Sequence, residues 1–163
     1  MNVWDGWPVP AMGFLRETSM TRALALATAL LAVPALALAA EDPAAAAAQA
    51  YTLDTSATTA NAKVGEAGKL VVVIKPKAPE WHVHPQAPLK IRFDAPPALK
   101  LVKTDLGRKD AVDPKAEEPR FEAPYVAAAP GAQQAKANVD FFICSDTACV
   151  KQARSVPITV TVR

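Results

Sequence analysis

Cys144 and Cys149 are the only thiols in the 163-residue chain, and they stand in Phe141-Phe-Ile-Cys-Ser-Asp-Thr-Ala-Cys149 with four residues between them. An apolar strand ends at the first sulfur, and the second follows polar Ser145, Asp146 and Thr147, so a turn can bring the two within bonding reach. In an oxidising compartment such a pair is a disulfide, Cys144–Cys149. Two uses follow. One is a staple, although closing a six-residue loop contributes only about 2 kcal/mol through chain entropy. The other is thiol-disulfide exchange, since bonds across short loops are the more reducible ones. Spacing leaves both open, because C-x4-C is a weaker redox signal than C-x-x-C. If Val139, Phe141 and Ile143 face a core, alternation turns Cys144 to the opposite face, where a partner can reach it. Asp146 and Lys151 are the nearby charges, the anion disfavouring a thiolate and the cation favouring it. A third use is metal binding: His82 and His84 in Trp-His-Val-His-Pro lie two apart, share a face if the segment is a strand, and could complete an N2S2 set. Nothing in the spacing brings them to the cysteines, so the reading carries no metal and no cofactor.

The elements that must position these groups are short strands. From Met20 the chain reads MTRALALATALLAVPALALAAEDP, in which Arg22, an apolar run and small residues ending at Ala39 follow the plan of a secretory signal peptide. Residues 1–39 are therefore read as a signal segment, with Met20 as the true start and no membrane span left after cleavage, giving a periplasmic or secreted protein. Removing Arg16, Arg22, Asp5 and Glu17 with it leaves the net charge at +2. That balance lacks the basic stripe a nucleic-acid binder needs, so no nucleic-acid partner is expected. Residues 40–50 form an Ala-rich linker, either a flexible tether or a short helix. Residues 51–163 form the domain, long enough to bury a core without disulfides as its main support.

Within that domain, turn formers punctuate segments rich in β-branched and aromatic residues, with no sustained helical period. Strands are expected at Tyr51 to Thr55, Lys69 to Lys75, Trp81 to His84, Leu89 to Asp94, Leu99 to Thr104, Arg120 to Ala127, Ala135 to Cys144 and Ser155 to Arg163. Ile158, Val160 and Val162 alternate with Thr159, Thr161 and Arg163, as one buried face requires. Pro157 places the start of that strand at an edge. Seven or eight short strands predict an all-β fold, an immunoglobulin-like antiparallel β-sandwich. Its inner faces would hold Val71, Val73, Ile91, Phe93, Phe121, Tyr125, Val139, Phe141 and Ile143. The polar stretch Leu106 to Pro119 is read as a solvated loop, with a flap over a site as the other reading.

Three segments in order, over about residues 65–163, resemble the N-terminal periplasmic domain of the thiol:disulfide interchange protein DsbD family. Trp81-His82-Val83-His84-Pro85 with Pro88 and Lys90-Ile-Arg-Phe93 is similar to the family's Gly-Trp-His segment and the strand after it. Arg120 to Val126 resembles its middle strand, and Val139 to Cys149 resembles its apolar strand running into a Cys pair with an acidic residue between. The resemblance implies a stand-alone exchange (oxidoreductase) module that carries reducing equivalents from a thioredoxin-like or membrane-embedded thiol reductase to exported thiol proteins. Cys149 would form the mixed disulfides and Cys144 would resolve them. The chain departs from the pattern where Val150-Lys-Gln-Ala follows the second Cys in place of prolines, and where Leu106 to Pro119 offers no aromatic cap. The competing expectation is a non-enzymatic immunoglobulin-like binding or structural domain with a loop-stapling disulfide and an edge strand available for pairing. Hydrolytic and phosphoryl-transfer motifs are absent.

Overall fold

The computed structural model describes residues 42–163; the signal segment and the start at Met20 lie outside the described residues. Asp42 caps a one-helix entry, α1 (Pro43–Gln49), by accepting the Ala44 N–H at 2.9 Å, with Pro43 in the first turn, where its missing donor costs nothing. The helix packs: Ala47 is fully buried. Ten strands follow: β1 (Tyr51–Asp54), β2 (Asn61–Ala62), β3 (Ala67–Pro76), β4 (His82–Val83), β5 (Lys90–Asp94), β6 (Leu99–Leu101), β7 (Asp105–Gly107), β8 (Arg120–Ala127), β9 (Gly131–Cys144) and β10 (Cys149–Val162). One sheet runs β1-β3-β8-β6 and the other β2-β10-β9-β5-β7, with β4 also on β9. The fold is the expected all-β sandwich, and every pairing between strands is antiparallel except β2 with β10.

The two faces meet through Leu70, Val72, Ile74, Phe121, Ala123 and Tyr125 from one sheet and Ile91, Phe93, Val139, Phe141, Ile143, Ile158 and Val160 from the other. Two of the expected core positions are corrected here. Val71 and Val73 are buried, yet they stand outside the inter-sheet cluster, because β3 presents Leu70, Val72 and Ile74 inward. An unbroken run of Leu70 to Ile74 carries no alternation from which to read the inward face. Thr58 lies over the other side, its Oγ1 accepting the Val71 N–H at 3.0 Å.

Of the expected strand over Leu99 to Thr104 only Leu99–Leu101 forms one, as β6 on β8, and the unexpected β7 just after it pairs with β5 in the other sheet. Between them Val102 is 79% exposed, so the chain crosses from one sheet to the other where the apolar pattern lapses. The last strand begins at Cys149 and not at Ser155, and Pro157 lies in its middle. The backbone accommodates this proline because its nitrogen faces away from β9. The Ser145 N–H donates to the Ala148 carbonyl, which fixes the alternation along the β9–β10 register and makes Pro157–Lys136 a pair without ladder bonds.

Two glycines have steric reasons. Gly131 takes φ +116° after Pro130, which turns β8 into β9. Gly68 lies under the Tyr125 ring, where a Cβ would stand 2.5 Å from the ring's Cζ. On the outer surface of the β3–β8 pair, Glu122 accepts from Lys69 at 2.9 Å and from Arg120 at 2.8 Å, and these cations, Lys69 foremost, hold its carboxyl below the usual range.

Candidate functional site

The β9–β10 hairpin brings Cys144 and Cys149 directly opposite one another, and they are joined as a disulfide. The four-residue turn between them is held from inside: Ser145 donates its N–H to Ala148 O at 2.7 Å, and its Oγ accepts the Ala148 N–H at 3.2 Å. A Ser at the first turn position competes well for local backbone donors, which is why the strand stops there. Cys144 does face away from the core, as alternation demanded, but it is only 4% exposed. On one side its cross-strand neighbour is Cys149, and on the other it is His82 of β4. The expectation that a partner could reach Cys144 is therefore corrected. Cys149 is the exposed member of the pair.

His82 enters this row because β4 pairs with the end of β9. His84 does not join it: its Nδ1 accepts the Gln86 and Ala87 N–H groups at 3.2 and 2.9 Å, the pattern of a turn-forming side chain. Both thiols are spent on each other, and among the described residues no group of three His, Cys, Asp or Glu side chains gathers into a metal site. Asp146 is exposed in the turn, and Lys151 is exposed on β10, two residues along the same face from Cys149.

The polar stretch Leu106 to Pro119 contains β7, a 3-10 turn at Arg108–Asp110 and a bridge from Ala111 to Phe121. Arg108 fastens it to the β4 segment by donating to the His84 carbonyl at 2.6 Å, and burial pushes the pKa of its guanidinium down. Beyond it, Glu117, Glu118, Trp81 and His82 line an open cleft of about 410 Å³. The cleft carries both signs of charge, since Lys77 also lines it.

The edge strand that the competing expectation required, and that Pro157 hinted at, is β10, whose outer border is free over much of its length. Strand β2 covers only Thr161 and Val162, and α1, which also packs against β10, pairs with none of it as a strand. The residues that face away from β9 are therefore Lys151, Ala153, Ser155, Pro157 and Thr159, each exposed. Among the described residues, the N–H groups of Lys151, Ala153, Ser155 and Thr159 meet no backbone acceptor. The Ala153 carbonyl takes only the Arg154 side chain, at 3.3 Å. Such a row of unpaired donors and acceptors is a template for a further strand.

The disulfide closes the hairpin that presents this border, and its removal has a calculable effect. Replacing both cysteines by Ala lowers the unfolding free energy by about 2 kcal/mol, the chain-entropy value for a six-residue loop. Urea titration of oxidised wild type, reduced wild type and the double variant checks it, with the last two expected to coincide. A loss near zero would mean that the hairpin is closed by its ladder and turn alone.

No helix among the described residues is long and apolar enough to cross a membrane. No family model matches the chain, and no curated protein does. Solved structures with a similar course include a conjugative transposon lipoprotein from Bacteroides eggerthii, at 11% identity and a TM-score of 0.39 over 69% of this chain and 97% of that one. A lipoprotein from Bacteroides thetaiotaomicron is 17% identical at a TM-score of 0.35, over 68% of this chain and 78% of its own. The major subunit of aggregative adherence fimbriae type I from Escherichia coli is 9% identical at 0.32, over 69% and 94%. Likenesses this distant transfer no role. The resemblance to the DsbD N-terminal domain is corrected all the same, because no family model matches the chain, that family's included. Thiol-disulfide exchange, which that resemblance implied, goes with it, as do the mixed-disulfide role of Cys149 and the resolving role of Cys144. The physical reason lies in the motif itself: an apolar strand, a polar turn and two cysteines are what any disulfide-closed hairpin requires.

Proposed function

We propose that the chain is a non-enzymatic, extracytoplasmic binding module whose docking element is the free border of β10, with Cys144–Cys149 closing the hairpin that carries it. The observation that carries the reading is the set of exposed, outward-facing N–H groups at Lys151, Ala153, Ser155 and Thr159. Strand addition to such a border supplies affinity through main-chain bonds and specificity through alternate side chains. The disulfide supports an oxidising compartment, periplasmic or secreted, since cytosolic thiols stay reduced.

The test is to express Cys144→Ser and Cys149→Ser singly in an exporting host and to separate the products without reductant. A binding module yields monomeric chains with a free thiol and no defined adduct. Accumulation of a mixed disulfide with one exported protein, dependent on Cys149, would overturn the reading.

A further inference from the structure

We propose that the border of β10 between Lys151 and Ser155 takes an acidic, extended segment of a partner protein as an added strand. The inference rests on the binding-module reading and names the chemistry of its partner. Its length is set by the backbone. Lys151, Ala153 and Ser155 offer three successive outward N–H groups, and the next outward position is Pro157, which has no donor. A guest strand therefore finds about five residues of continuous ladder before the pairing lapses.

Charge selects the guest. From Cys149 to Arg163 the chain carries Lys151, Arg154 and Arg163 and no Asp or Glu, while Asp140 of β9 stands opposite Ala153. Lys151 and Arg154 are both exposed, and being three residues apart in a strand they project from opposite faces of the sheet. Arg154 stands on the side of Tyr51, whose hydroxyl it approaches closely enough to oppose the upward shift that burial imposes on that phenol. A guest with two carboxylates at the same three-residue spacing meets one cation on each face, and opposite charges across a strand pair are favourable whereas like charges are not. A second copy of the chain fits badly. Two β10 borders pairing antiparallel would gather four cations on one short ribbon with no acid between them. Lys and Pro on a border are the features that discourage such self-pairing.

The experiment uses the full exported chain with its disulfide formed and two labelled heptapeptides, Thr-Glu-Val-Thr-Glu-Val-Thr and the same peptide with Lys in place of Glu. Fluorescence anisotropy at low salt should show binding of the acidic peptide at least tenfold tighter than the basic one. Hydrogen exchange should slow at the amides of Lys151, Ala153 and Ser155. Ala153→Pro removes the central donor at a position equivalent to Pro157, leaving the β9 ladder intact, and should weaken binding tenfold or more. The double variant Lys151→Glu with Arg154→Glu keeps every backbone donor and should reverse the preference between the peptides. Equal binding of both peptides, no binding of either, unchanged affinity of Ala153→Pro, or protection elsewhere on the surface overturns the proposal. So does a wild-type dimer in sedimentation that Ala153→Pro dissolves, because the occupant is then a second copy. A preference for the basic peptide or equal binding, with protection still at Lys151 to Ser155, removes the acidic guest but leaves β10 as the docking border; protection elsewhere removes that border as well, and a mixed disulfide in the single-Cys variants removes the binding-module reading itself.

Discussion

Phe141→Ala is expected to cost about 3–5 kcal/mol, enough to leave a domain of ordinary stability marginal. Phe141 is fully buried near the outer end of β9, and its ring meets Tyr51 edge-on with centroids 4.8 Å apart. Tyr51 is the first residue of β1, and its hydroxyl donates to Gln152 Oε1 at 3.1 Å, opposite Phe141 on β10. Truncating the ring thus opens a cavity at the point where the first strand of one sheet is fastened to the central hairpin of the other. The aromatic pair contributes about 0.5–1.5 kcal/mol beyond area burial, so Phe141→Leu should recover most of the loss but not all of it. Urea unfolding followed by Trp fluorescence measures both variants. A cost below about 1 kcal/mol for Phe141→Ala would mean that β1 and α1 do not pack against the hairpin as described.

Tyr125→Ala should be comparably severe, about 3–5 kcal/mol, for a different reason. Its ring is 1% exposed and lies over Gly68, while its hydroxyl donates to the Thr59 carbonyl at 2.7 Å. That single side chain fills the interior beside β3 and holds the segment that carries the chain from β1 towards β2. A thermodynamic cycle makes the packing claim specific. Gly68→Ala alone should destabilise by about 1–3 kcal/mol, because its Cβ has no room beneath the ring. In the Tyr125→Ala background the same change should cost almost nothing, since the obstructing ring is gone. Additive costs in denaturant titrations would show that the glycine serves some purpose other than clearance for Tyr125.

Much of this was legible in residue types and spacing. Ile158, Val160 and Val162 alternate so cleanly that the last strand and its buried face follow directly, and Arg120 to Ala127 is a strand with the limits expected. The disulfide followed from two cysteines across one polar turn. Where the apolar residues ran without a break, as in Leu70 to Ile74, period two gave no phase and the inward set was misjudged. Where apolar residues are sparse, as between Leu101 and Leu106, no alternation marks β7, and the strand expected over Leu99 to Thr104 ends at Leu101. Function is not legible for a related reason: the residues around Cys144 are local determinants of a closed hairpin, and a hairpin of that form is not confined to one family.

The sequence by itself determined the fold class, the pairing of the two sulfurs and the positions of most strands, because these depend on contacts between near neighbours and on the alternation of side chains. Only the tertiary structure decided which sulfur is accessible and which strand border is left open. His82 reaches Cys144 from some sixty residues away in the chain, and β2 covers only the last two residues of β10's outer edge, Thr161 and Val162. Both outcomes depend on which strands end beside one another in space, which no local pattern of residues encodes.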